Sequence, residues 1–166
     1  SLAVDGLGRA YVTGFSSCTG GGNCSFPTVV GPNLTRAASA DASRPSMDGF
    51  IARVKADGSS LDYAGFIGGD GYFDVGHAIA VDASGSAYVA GATDSVTGLP
   101  AAPGFRSIPS GDASDGFVAR ISASGAAVDR FTLLTGTLSG NQSGADRALA
   151  IALDTDGTVI VAGETD

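Results

Sequence analysis

IAVDASGSAYVAGAT, from Ile79 to Thr93, decides the fold. Ile79 and Val81 alternate with Ala80 and Asp82. A Ser-Gly turn follows, and then a second alternating run, Ala87 to Gly91. A period of two on both sides of a tight turn predicts a pair of short antiparallel strands. The same pattern stands near the N-terminus as LAVDGLGRAYVTGFS from Leu2, and near the C-terminus as IALDTDGTVIVAGET from Ile151. The chain is therefore a repeat, and the stretches between these three copies define the rest of the unit.

Those stretches hold a second recurring hairpin. DGFIARVKADGSSLDYAGFIGG begins at Asp48 and DGFVARISASGAAVDRFTLLTG at Asp115. Each has an alternating strand, a Gly-bearing turn and another strand, so one unit contains four strands, a to d, in meander order. Four strands per repeat make a β-propeller blade. The expected fold is all-β. Residues 1–69 form a first blade with a long Cys-bearing b-c loop at 15–47, residues 70–136 form a second blade, and residues 137–166 form the first half of a third. Tight a-b and c-d turns at one end leave the b-c and d-a loops together at the other. In strand a, bulky Ile79 and Val81 oppose Ala78 and Ala80, which suits sheets stacked on both faces better than a two-sheet sandwich with one wet face.

The order of IAVD, a Gly turn, AYVAG or AYVTG, FPTVVGPNLT after the first copy, DGFIARV and a GG before the next IAVD resembles the bacterial SBBP repeats, a seven-bladed β-propeller family. The resemblance covers nearly the whole chain. It implies a propeller fold and a place in large secreted or cell-surface bacterial proteins, mostly of undefined activity. The sequence departs from the pattern in the longer first b-c loop and in LLTG at Leu133 to Gly136, where the first copy has FIGG.

Closed propellers have about four to eight blades. Two and a half blades do not close. The expected partners are the remaining blades of a parent chain or neighbouring subunits, because open sheet edges and bare blade faces are normally covered.

Composition narrows the function classes. The chain has 166 residues, 43% hydrophobic and 16% charged, with 26 glycines, which describes globular material rich in short strands and turns. A net charge of -8, with 9 scattered basic residues, argues against nucleic acid as a partner. No apolar run is long enough to span a bilayer as a helix, so membrane insertion is not expected.

Candidate sites are few. Cys18 and Cys24 in CTGGGNC suit a local disulfide better than a metal pair, because two thiols without a second Cys or His pair leave a tetrahedral shell incomplete. Asp70 and Asp74 in GGDGYFDVG offer hard oxygen ligands for Ca2+, although Asp and Gly also build turns. Beyond this Ca2+, no cofactor is expected. DTDG at Asp154 lacks the other ligands of a Ca2+ loop. His77 is the only histidine and occupies the slot of Leu149 in the next copy, which marks it as a strand residue. No nucleophile, base and orienting group can be assembled, so enzyme activity is not expected. Arg53 and Arg120, on the strand face opposite Phe50 and Phe117, require partners; Asp48, Asp115 or the Asp ending strand a are the candidates. Asn23, Asn33 and Asn141 begin Asn-x-Ser/Thr triplets in loops.

The expected function is a non-catalytic extracellular or cell-surface module, structural or adhesive, that presents its loops to a protein or glycan. A subunit of a surface fibre joined through blade edges is the alternative. A fragment of a propeller hydrolase stands behind both.

Overall fold

In the computed structural model, residues 1–18, 25–37, 45–105, 114–136 and 144–166 are described, and they form β-strands only. The first sheet has four strands in sequential order, β1 (Leu2–Val4), β2 (Ala10–Cys18), β3 (Ser46–Val54) and β4 (Leu61–Ile67). The second repeats it with β5 (Asp74–Val81), β6 (Ala87–Thr93), β7 (Asp115–Ile121) and β8 (Val128–Leu134). β9 (Arg147–Leu153) and β10 (Val159–Glu164) form a two-stranded sheet, and the pairings between these ten strands are antiparallel. The fold is an all-β, propeller-like arrangement of two four-stranded meanders and a hairpin. β2 and β3 run further than the alternation alone predicts, pairing from Ala10↔Val54 to Cys18↔Ser46, so the first b-c connection is shorter than 15–47.

The a-b turns are built by the aspartate of the repeated motif. Asp82 Oδ1 accepts from the N–H groups of Ser84 and Ser86, each at 2.9 Å, while Gly85 sits at φ 84°, where other residues are strained. Asp5 does the same for Leu7 and Arg9. These carboxylates recur because the turn recurs.

The sheets stack through their inner strands, β5 lying against β1, β2 and β3, and β9 against β5, β6 and β7. Tyr11, Ile51, Tyr63 and Ile67 of the first blade meet Ile79, Val89, Phe117, Ala119, Ile121 and Phe131 of the second in one core. Burying such side chains is worth about 1.5 to 3 kcal/mol each. The core is therefore shared between blades, the first supplying four of its twelve buried residues and the second eight. Gly76 allows this approach, since a Cβ there would come 2.0 Å from the Thr13 Oγ1 of the first blade.

The b-c loops do something that the sequence reading did not anticipate. After leaving the sheet they return along the outer edge of strand d as a backbone-bonded strap. Ala64 N–H donates to Val30 O at 2.8 Å and Phe66 N–H to Asn33 O at 2.8 Å. In the second blade Phe131 N–H donates to Pro103 O at 3.1 Å and Leu133 N–H to Phe105 O at 3.0 Å. The outer edges of β4 and β8 are thus covered, which removes the template for edge-to-edge pairing. Phe26 anchors the first strap, with its ring centroid 5.0 Å from those of Phe50 and Phe66. A Cβ at Gly31 would lie 2.7 Å from Ala64 O, and one at Gly104 2.0 Å from Phe131 O, so both straps need glycine for close approach. Gly104→Ala is expected to cost about 1 to 2 kcal/mol, the low end for overpacking because a strap can shift. Amide exchange should accelerate at Phe131 and Leu133 before the rest of β8; uniform protection would contradict this role.

Candidate functional site

The d-a and b-c loops of the second blade meet at one end of the sheet and are tied together by side chains. Asp70 accepts from Thr97 N–H at 3.0 Å and from the Thr97 hydroxyl. Gly71 N–H donates to Ser95 Oγ at 2.8 Å, and Phe73 N–H to Asp94 Oδ1 at 2.8 Å. The glycines of GGDGYFD permit the crossing, since a Cβ on Gly71 would stand 2.0 Å from Asp94 Oδ1.

Beneath this surface lies Asp74, which is fully buried. Its carboxylate accepts from the hydroxyl of Thr93 (2.5 Å), the hydroxyl of Ser95 (3.0 and 3.1 Å) and the N–H of Gly69 (3.1 Å). Asp48 plays a comparable part in the first blade. Arg36 Nε lies 3.1 Å from Asp48 Oδ1, and Ala37 N–H donates to Oδ2 at 2.9 Å, which moors the far end of the first b-c loop. In the third unit Asp146, the repeat equivalent of Asp74, accepts from Gly136 N–H, the equivalent of Gly69. A buried aspartate at the start of strand a holding the preceding d-a loop is thus a repeated device.

Asp70 and Asp74 share a loop but accept hydrogen bonds from different donors, with Thr97 bonding Asp70, and Thr93 and Ser95 bonding Asp74. Asp70 faces Thr97 near the surface, whereas Asp74 faces inward onto hydroxyl and amide donors. A Ca2+ ion would have to displace those donors from both carboxylates. Among the described residues no three His, Cys, Asp or Glu side chains come together in a metal-holding group. Cys18 ends β2 in register with Ser46, and Cys24, with the proposed pairing, lies outside the described residues. Asn33 belongs to the strap on β4, its Oδ1 accepting from Thr35 N–H at 3.1 Å; Asn23 and Asn141 lie outside the described residues.

His77 sits at a bulge in β5, where the ladder passes from Gly76 to Ala78. Burial pushes its pKa down and the nearby Arg147 adds to this. Its Nε2 is buried without a hydrogen-bond partner among the described residues.

Of the expected arginine partners, the aspartate ending strand a is found at Arg120, and each arginine also has a carboxylate on strand d. Arg53 Nε lies 2.9 Å from Asp62 on β4, and its Nη1 donates across the blade boundary to Ala123 O at 2.7 Å. Asp48 is already engaged by Arg36. Arg120 Nη1 lies 3.1 Å from Asp129 on β8, with Asp82 at 3.9 Å, so the aspartate ending strand a contributes only weakly and only in the second blade. Asp62 and Asp129 each follow their arginine by nine residues in the repeat, a spacing that the c-d turn brings across neighbouring strands.

Burial pushes Asp74 up from 3.8 to about 6, with the neighbouring Asp48 charge adding to the rise and the Thr93, Gly69 and Ser95 donors opposing it. Asp5 moves the other way: burial would raise it, yet the Arg9 N–H and guanidinium, the Tyr11 hydroxyl and the Leu7 N–H together hold it near 2. A raised carboxylate contributes its full stability below its unfolded value and loses it as pH climbs through the folded value. The Asp74 contribution therefore declines between about pH 4 and about pH 6, whereas that of Asp5 is lost as pH falls from about 4 towards 2. Urea midpoints are expected to be higher near pH 4.5 than near pH 7, and Asp74→Asn should flatten that difference. An unchanged slope in the variant would assign it to other groups.

No known family model matches the chain, and no curated protein does. What the fold and the loop end define is a repeat protein of propeller-like blades whose long loops are fastened to the sheets by buried carboxylates.

Proposed function

We propose that the chain is a non-catalytic structural or adhesive module of an extracellular or cell-surface protein, presenting its b-c and d-a loops to a protein or glycan partner. The observation that supports this most is the fastening of loops of different sequence onto strands of constant sequence, through Asp48, Asp74 and the straps on β4 and β8. A loop moored in this way loses little entropy when a partner binds, which favours affinity. The carboxylates there accept from donors already in place, an arrangement suited to holding shape. Glycan arrays and binding to intact cells test the proposal: saturable binding that is lost when residues 94–98 are exchanged for a Gly-Ser segment supports it. Absence of binding together with turnover of a substrate would overturn it.

A second reading, a subunit of a larger assembly, is favoured by β1. Leu2 and Val4 are 62% and 57% exposed, although their repeat equivalents Ile79 and Val81 pack into the core between blades. Sedimentation over a range of concentrations separates the two, since a well-folded monomer at all concentrations would exclude assembly through this face.

A further inference from the structure

The joint between the two complete blades is tied by main chain as well as by packing. Met47 N–H, near the start of β3, donates to Tyr72 O at 2.8 Å, and Met47 and Phe73 form a parallel bridge. The next residue on each side is a buried aspartate, Asp48 on β3 and Asp74 on β5. The two backbones run so close that a Cβ on Gly49, which follows Asp48, would lie 3.7 Å from the Asp74 carbonyl carbon. At the next joint Asp146 N–H donates to Ser114 O at 2.7 Å, beside a buried Asp115. A pair of aspartates thus belongs to the joint and not to one loop.

Two carboxylates side by side away from water ionise together only at a cost, unless a cation stands by. Arg36 is the cation at the first joint, its Nε 3.1 Å from Asp48 Oδ1. It belongs to the end of the first b-c loop, whereas Asp74 holds Gly69 of the d-a loop and Ser95 of the second b-c loop. Three loops from two blades therefore converge on one pair of carboxylates. The strands β1, β2 and β6 bring no charged side chain to it. Asp70 and Asp94, in the loops beside Asp74, are engaged by Thr97 and by the Phe73 N–H. Asp115 of β7 lies opposite Thr93, and Asp146, ahead of β9, accepts from Gly136 N–H. Arg53, towards the other end of β3, is bonded to Asp62. His77, further along β5, is influenced instead by Arg147 of β9, Glu164 of β10 and the Ser1 amino group.

We propose that Asp48, Asp74 and Arg36 form one proton-linked joint, through which the first b-c loop and the loops of the second blade sense each other. With Arg36 docked, the Asp48 charge is matched and Asp74 can ionise beside it. With Arg36 withdrawn, the two carboxylates share one proton, and Asp74 stays neutral to higher pH. The linkage is reciprocal: ionising Asp74 draws Arg36 in, and protonating Asp74 releases part of that hold. A partner that pulls on the first b-c loop therefore changes the proton occupancy beneath the loops of the second blade. Mild acid loosens the first loop at its Arg36 end, while Asp74 becomes easier to bury. This inference goes beyond the presentation of loops and does not depend on what they bind.

The test follows the side-chain carboxyl carbons of the whole chain by NMR across the Asp74 titration, with the two signals assigned from Asp48→Asn and Asp74→Asn. In the unaltered protein the Asp48 signal is expected to shift as Asp74 titrates, and protection of the Ala37 amide, which donates to Asp48, to fall as pH drops through the same midpoint. Asp74→Asn should remove that change in protection. Arg36→Gln should move the Asp74 midpoint up by about one pH unit, Asp48→Asn should move it down by about as much, and Arg36→Lys, which keeps the charge, should restore most of the loss. An Asp74 midpoint left in place by both Arg36→Gln and Asp48→Asn would overturn the coupling. So would an Asp48 signal and an Ala37 protection that stay flat through the Asp74 midpoint, a result read on the unaltered protein and free of any folding defect in a variant.

Discussion

Asp74→Ala is expected to destabilise the protein by about 3 kcal/mol, since a buried donor stripped of its acceptor costs about 1 to 3 kcal/mol and part of the loss is offset by no longer burying a charge. The Gly69 N–H and the hydroxyls of Thr93 and Ser95 would all lose their acceptor. The offset operates only where the wild-type carboxylate is ionised. Given a folded pKa of about 6, the variant should lose more near pH 5 than near pH 7.5. Urea unfolding at both values checks this, and a loss that grows with pH would refute it. Because the three donors sit on the d-a loop and at the b-c junction, amide exchange should also rise over residues 68–73 and 94–98.

Arg53→Ala carries the second large effect, a loss of about 3 kcal/mol, the lower end for breaking a buried ion pair. The side chain is 11% exposed and stands over the Tyr63 ring at 4.8 Å, besides bonding Asp62 and Ala123 O. The same substitution at Arg120 should cost only about 1 kcal/mol, because a side chain 33% exposed exchanges its partner for water. Arg120→Met, which keeps the stem, should cost less still. Chemical denaturation of the variants side by side measures the contrast. Equal losses at the two arginines would mean that the bond across the blade boundary adds nothing.

The four-strand unit was legible because Ile79-Ala80-Val81-Asp82 and Phe50-Ile51-Ala52-Arg53 alternate cleanly and end at glycine turns. Strand order, turn positions and the stacking of sheets follow from that period. The straps on β4 and β8 were not legible, because their bonds are made by the main chain of Val30, Asn33, Pro103 and Phe105, which leaves no periodic side-chain trace. Gly31 and Gly104 were the available signal, each lying four residues beyond the proline of the FP or LP pair that opens its strap. The aspartate ending strand a was legible as a partner of Arg120, whereas Asp62 and Asp129 were not, because they are placed beside their arginines only by the c-d turn. Asp70 and Asp74 stood out as a ligand pair because sequence shows their nearness but not the opposite directions of their carboxylates. Thr93 and Ser95, which claim Asp74, lie about twenty residues away in the chain.

The straps also set which substitutions leave a blade unaffected. A bond from Val30 O or Phe105 O is made whatever side chain stands there, so sequence can drift along most of each strap while its hydrogen bonds persist. Gly31 and Gly104 are fixed by contact with the strand beneath, and Phe26 by its ring contacts with Phe50 and Phe66. Each rim is therefore a surface on which variation accumulates without detaching the segment that carries it, and new recognition chemistry can arise there while the edge below stays sealed.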